Sequence, residues 1–214
     1  MIKNVLYYII LTFAFFFVFC SKVNKELSSD QFALDLETSP DLGCPETRYD
    51  HWETSDYVLP YTVGSSYTIN LSHCSGSYHS AGQPDQFAID FSMDIGTEIT
   101  ASRAGEVIYI EDSGRDGGFP NNKVVIQHSD STYAQYMHLT HKGALVGKGQ
   151  NVEQGELIGL SGNTGLAGYP HLHFVATNSD SWQYPYTSFP TTFSNTSKNE
   201  KSLQSGMIYE ALPY

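Results

Sequence analysis

Basic residues are scarce in this 214-residue chain: eleven lysines and arginines stand against 23 aspartates and glutamates, a net charge of −12 at pH 7. A surface of that sign repels phosphate backbones, which removes nucleic acid from the candidate partners. Cysteine is nearly lacking too. Only three occur, and none form a C-x-x-C pair, so a thioredoxin-like redox motif and a zinc knuckle are both excluded. From about residue 55 onward no stretch sustains ten residues of helical periodicity.

What is present begins with "MIKNVLYYIILTFAFFFVFC", where Lys3 precedes roughly fifteen apolar positions that end at Cys20. This is the layout of a secretory signal rather than of a full membrane span, so residues 1–19 are read as a signal peptide and the protein as exported. Cys20 resembles the lipidation site of a bacterial lipoprotein, which would attach the chain to a membrane; ordinary cleavage nearby and a retained N-terminal anchor are the alternatives. With Cys20 set aside, Cys44 and Cys74 remain as an even pair in a chain bound for an oxidising compartment, and a disulfide is expected between them. Residues 20–54 are polar and acidic without a sustained period and read as a tether with one marginal helical turn at most.

The texture changes over 55–214. "QFAIDF", "EITA", "GEVIYIED", "KVVIQHSD", "TYAQYMHL", "ELIGL" and "HLHFVATN" are short, rich in Val, Ile, Tyr and Phe, and punctuated by Gly, Asn, Asp or Pro. Such a series predicts an all-β domain, an antiparallel sandwich or distorted barrel. The loops at 72–85 and 112–122 are long for a compact domain, a length that commonly carries function. The aromatic run "SWQYPYTSFPTTF" is expected to cover a sheet edge, with lining a cleft as the alternative.

Two places carry chemistry. In "GYPHLHF" the alternation of a strand puts His171 and His173 on one face and Leu172, Phe174 and Ala176 on the other. A lone strand histidine is usually a satisfied structural residue; two on one face, backed by an apolar face, point to chemistry. In "QFAIDF", Phe87, Ile89 and Phe91 share a face and leave Asp90 opposite. A carboxylate there needs a partner, because a buried unpaired charge is expensive. A metal ion, Arg103 or a loop amide network would each serve. His138 closes a third segment, "YAQYMHL". Catalytic zinc takes three ligands from His, Asp or Glu and keeps a fourth position for water, so two histidines and an aspartate meet its requirement. The H-E-x-x-H helix through which many zinc proteases hold their metal is missing, so strands would have to present the ion.

The segments "QFAIDFSMDIGTEITASRAGEVIYI", "NNKVVIQHSDSTYAQYMHL", "VGKGQNVEQGELIGLSGNTG" and "GYPHLHF", in this order and spacing, resemble the lysostaphin/LytM-type zinc metallopeptidases that cleave peptide bonds in bacterial peptidoglycan. The resemblance covers about residues 76 to 177 and implies the duplicated-hybrid-motif form of an antiparallel β fold over 55–214, with Zn2+ as cofactor and peptidoglycan peptides as partners. It makes Asp90 and His173 zinc ligands. His138 and His171 become the pair that positions the attacking water and stabilises the tetrahedral intermediate. One position departs: the family usually has its first ligand histidine four residues before the aspartate, where this chain has Gln86, a poor zinc ligand beside neutral imidazole.

His79, eleven residues ahead of Asp90 in "GSYHSAGQPDQ", lies on a Gly/Ser-rich loop that can fold back over the strand, and a subgroup of the family resembles this displaced arrangement. His79 is therefore the expected third ligand, with His73 as competitor and a missing ligand as the remaining case. His128 reads as a turn or core residue, and His51 and His141 as solvent-facing. Three function classes stay open: a zinc endopeptidase of wall peptides, a degenerate relative that binds the wall or activates another hydrolase, and a biotinyl- or lipoyl-like carrier suggested by "LVGKGQNVEQGELIGL". The last ranks lowest, since Lys148 is followed by glycine within the turn pattern itself.

Overall fold

The structure is a computed structural model that describes residues 43–214. The expected signal peptide, Cys20 and the first part of the tether lie outside the described residues. Among the described residues there are eleven strands: β1 (Ser66–Leu71), β2 (Ile89–Ser92), β3 (Glu98–Thr100), β4 (Gly105–Glu111), β5 (Lys123–Gln127), β6 (Tyr133–Met137), β7 (Leu139–Ala144), β8 (Asn151–Val152), β9 (Leu157–Ser161), β10 (His171–Thr177) and β11 (Ile208–Glu210). The sole helical feature among them is a single 3₁₀ turn at Trp52–Thr54. No helix among the described residues is long and apolar enough to cross a membrane.

An eight-stranded sheet runs β11-β1-β2-β10-β6-β5-β4-β8 and a three-stranded sheet runs β3-β9-β7, with every pairing antiparallel. All seven segments read as strands from their composition contribute one. Those missed are β1, β7, β8 and β11, which are polar, glycine-containing or only two or three residues long. The sheets share one core: Ile99, Leu139 and Ile158 from the smaller pack in the same cluster as Ile89, Phe91, Val124, Tyr136, Leu172 and Phe174 from the larger.

β10 is the pivot because it is buried over its whole length, between β2 and β6. Its odd and even positions separate as a strand requires. Leu172, Phe174 and Ala176 enter the main core, while Val175 joins Ala88, Met137 and Tyr186 in a small cluster on the face that carries the histidines. The register sets Asp90 directly opposite His173 on one side and Met137, the residue before His138, opposite it on the other. At the end of β9 the chain passes so close to β7 that a Cβ on Gly162 would run into the Thr140 backbone; the Gly162 carbonyl meanwhile accepts the His171 amide at 3.2 Å.

The aromatic tail covers a sheet face rather than an edge. Thr177 bridges to Ser188, Trp182 packs against Tyr109 of β4 at 4.7 Å between ring centroids, and Tyr186 is buried in the small cluster beside Ala88 of the segment leading into β2. The chain from 180 to 186 therefore spans the histidine-bearing face from β4 to the edge of the site.

Cys44 and Cys74 are joined in a disulfide with Cα atoms 5.0 Å apart. Residues 43–54, which the sequence reading puts at the end of the tether, thus carry one end of a covalent clamp, and Cys44 is buried. The other end begins the 72–88 loop that bears His79. The cysteines are 30 residues apart, so chain entropy gives the bond about 3–4 kcal/mol of stability. Replacing both cysteines by serine should lower the unfolding free energy from urea titration by about that amount, with a somewhat larger m-value because the unfolded chain loses its cross-link. An unchanged unfolding free energy would show that the bond adds nothing to the stability of the fold.

Candidate metal centre

Asp90 is reached by three imidazoles at once. From its Oδ1, His173 Nδ1 is 2.9 Å away, His79 Nε2 3.4 Å and His171 Nε2 3.7 Å. His138 stands behind them, its ring centroid 4.7 Å from that of His171 and 5.7 Å from that of His173. All five side chains are buried, with exposures between 1% and 7%. Among the described residues, two triads offer ligand atoms mutually within 4.8 Å: His79, Asp90 and His173, and His138, His171 and His173.

Each side chain has its own local cause. Asp90 and His173 face each other through the β2–β10 register. His171 lies two residues before His173 on the same face, with its ring against Tyr169. His138 takes a left-handed backbone conformation, φ 65°, where β6 gives way to β7, and its amide donates to Asn121 Oδ1 at 3.0 Å. His79 arrives on a loop of successive tight turns, 76–79, 80–83 and 83–86, closed by amide-to-carbonyl bonds.

Gln86, at the departing position, serves that loop. Its side-chain Oε1 accepts the Gly82 amide at 2.8 Å and its carbonyl accepts the Cys74 amide at 2.8 Å. Glutamine here braces the turn that carries His79 instead of facing Asp90. Arg103, the alternative partner for Asp90, is engaged elsewhere, with Asp130 at 2.7 Å and Asp56 at 3.2 Å.

Tautomers follow from the partners. A carbonyl can only accept, so His138 Nδ1–H donates to Thr164 O at 2.7 Å and His171 Nδ1–H donates to Tyr169 O at 2.8 Å. Both rings are therefore left with Nε2 as the free basic atom when neutral. Burial, helped by the neighbouring His173 and His171, pushes His138 down to about 3. Burial likewise lowers His171, against the pull of Asp90. Both are neutral at pH 7.

His173 behaves oppositely. Burial alone would lower it, but hydrogen bonds to the Asp85 and Asp90 carboxylates outweigh that and raise it to about 10. Asp90 in turn is held well below the usual carboxylate range: burial would raise it, and the bonds to His173 and His79 prevail. The point between Asp90 and the imidazoles is thus a well for positive charge, which a proton on His173 Nδ1 or a divalent ion would fill. Two imidazole nitrogens and one carboxylate oxygen form a donor set of the kind zinc takes, and His79, Asp90 and His173 fit that ion.

His73 does not converge on Asp90. It stacks on Tyr49 at 5.7 Å and lies 3.3 Å from both Tyr49 Oη and Ser202 Oγ. His128 is buried, with Nδ1 on the Ala104 carbonyl, as its core reading expected. His51 is exposed and His141 half-buried, with Nδ1 3.1 Å from the Gly114 carbonyl. Sequence reasoning missed Asp85, which sits 3.3 Å from His173 Nε2, and Tyr186, whose hydroxyl donates to Asp85 Oδ1. Nothing in "QPDQF" distinguishes Asp85 from a loop acid.

The sequence profile of peptidase family M23 matches residues 85–185. The chain carries an M23 peptidase domain. His79 lies just ahead of the matched residues. The peptidoglycan DD-endopeptidase ShyA of Vibrio cholerae is 45% identical over 85 residues, 40% of this chain and 18% of that one. Lysostaphin of Staphylococcus simulans is 31% identical over 125 residues, 58% of this chain and 23% of that one. The chain thus spans about a fifth of the length of these curated relatives. In three dimensions the deep-sea M23 metalloprotease pseudoalterin superposes with a TM-score of 0.50 at 18% identity, over 67% of this chain and 80% of that one, a likeness of fold.

Burial holds His73 down to about 3, with His79 adding to the shift. The sign follows from linkage: the unfolded chain takes up a proton below its ordinary value of about 6.5 and the folded one does not. Stability that is full above pH 6.5 is therefore lost progressively as pH falls toward 3. In His73→Gln the drop in urea midpoint between pH 7 and pH 4.5 should be smaller than in the parent protein. Equal drops would show that His73 is not buried neutral.

Proposed function

We propose that this protein is an exported zinc-dependent endopeptidase that hydrolyses peptide bonds of bacterial peptidoglycan. The observation that carries the reading is the convergence of three imidazoles on Asp90 Oδ1, within 3.7 Å, in a buried site. His79, Asp90 and His173 would hold the ion, and His138 and His171 would act on water and substrate. When bound, zinc supplies a Lewis acid that polarises the scissile carbonyl and brings the pKa of bound water toward neutrality. The likeness to the peptidoglycan DD-endopeptidase ShyA supports peptidoglycan as the substrate, and the signal-like first residues support a location in the cell envelope, with Cys20 as a membrane attachment point.

The roles of this chain's own groups follow from their tautomers. His138 and His171 each present a bare Nε2 while Nδ1 is tied to a backbone carbonyl, so each can accept a proton from water without turning its ring. Once protonated, the same Nε2–H donates to the oxyanion of the tetrahedral intermediate. The depressed affinity of His138 for protons makes it, once protonated, a strong hydrogen-bond donor. Burial excludes competing water, which makes each such hydrogen bond worth more than it would be in solvent. The degenerate wall-binding alternative rests on Gln86 alone, and the loop histidine that Gln86 braces argues against it.

Zinc analysis paired with hydrolysis of purified peptidoglycan separates these roles. His171→Ala should retain about one zinc per chain while kcat falls by about 10²–10³-fold or more, the usual effect of deleting one oxyanion donor. His79→Ala and His173→Ala should lose the metal itself. Equal metal content in all three variants, or hydrolysis by a zinc-free chain, would overturn the assignment.

A further inference from the structure

The ligand face of His173 is explained by Asp90, but its opposite edge is not solvent. His173 Nε2 points at Asp85 Oδ1 at 3.3 Å, and Asp85 is fixed in turn by the Tyr186 hydroxyl. Asp85 sits on the turn that leads into β2, where its carbonyl accepts the Ala88 amide at 2.9 Å. Tyr186 comes from the covering tail, about a hundred residues later, and is 7% exposed, with its ring packed among Ala88, Met137 and Val175. A largely buried carboxylate on the outer nitrogen of one imidazole, held in turn by a buried phenol hydroxyl, is an arrangement with a chemical consequence. A carboxylate only accepts, so it requires Nε2 to carry the proton, leaving Nδ1 as the lone-pair atom toward Asp90.

We infer that Asp85 and Tyr186 form a relay that positions His173 for the metal: Asp85 fixes the ring's tautomer and orientation, and Tyr186 fixes Asp85. The inference rests on the zinc reading of His79, Asp90 and His173. Both residues are positioning residues, since neither places an atom beside Asp90. The relay also gives the aromatic tail a task beyond covering the sheet, because Tyr186 ties that segment to the ligand set. Carboxylates that orient a ligating histidine in this way typically contribute 10–100-fold in metal affinity.

The test is metal affinity in the full chain, by competition with a chromogenic chelator, and the visible spectrum of the cobalt-substituted protein. Asp85→Ala should weaken zinc binding by about 10–100-fold. Asp85→Asn, whose amide oxygen can still accept the Nε2 proton, should recover part of that loss. Tyr186→Phe removes only the hydroxyl and keeps the buried ring, so the fold persists; it should weaken binding by a smaller factor and shift the cobalt bands. Wild-type affinity and an unchanged cobalt spectrum in both Asp85→Ala and Tyr186→Phe would overturn the relay while leaving the zinc reading intact. Failure of the parent protein to bind zinc or cobalt would defeat the zinc reading and the relay with it.

Discussion

A single carboxylate oxygen, Asp90 Oδ1, organises the molecule. A charge this deeply buried is expensive unless compensated, and the compensation comes from imidazoles that the sheet delivers at fixed heights: His173 from the strand hydrogen-bonded beside it, His171 two residues earlier on the same face, and His79 from the loop above. The register of β2, β10 and β6 is therefore a constraint on chemistry as much as on folding. A slip of one residue in β10 would send both histidines into the core and Leu172 and Phe174 to the site, so the apolar face of the strand and the reactive face specify each other.

The electrostatics of the cluster separate its members into two kinds. His173, between two carboxylates, holds a positive charge readily. His138, equally buried but partnered by a carbonyl and flanked by other imidazoles, refuses one. The same residue type is thus divided by environment into a group that belongs with a cation and a group that stays a free base at neutral pH. The division arises within a few ångströms, through partners that are backbone carbonyls in one case and aspartates in the other.

The strand-borne part of this was legible in the sequence because alternation is a strong signal: His-Leu-His and the lone aspartate in "QFAIDF" announce their faces from spacing alone. The seven composition-rich strands were legible for the same reason. β7, with a glycine in its middle, and β8 and β11, only two and three residues long, carry too little pattern to be read. Asp85 and Tyr186 were illegible for a different reason. Their meaning lies in a contact across 101 residues, and no local pattern records where a loop acid and a tail tyrosine will meet. The departure at Gln86 was visible, but its resolution was not, since the side chain's bond to Gly82 exists only once the turn is formed.

On the proposed reading one ligand comes from a loop while the others come from strands, and that changes what the site depends on. His79 is held by three consecutive tight turns, by Gln86 bracing Gly82, and by the Cys44–Cys74 bond at the start of the loop. Loops open locally at lower free energy than central strands, so on the proposed reading His79 is the ligand most easily withdrawn, and the covalent clamp sits where that opening would begin. A disulfide suits a compartment that keeps it oxidised. On the proposed reading, the third ligand is only as firm as the 72–88 segment that carries it.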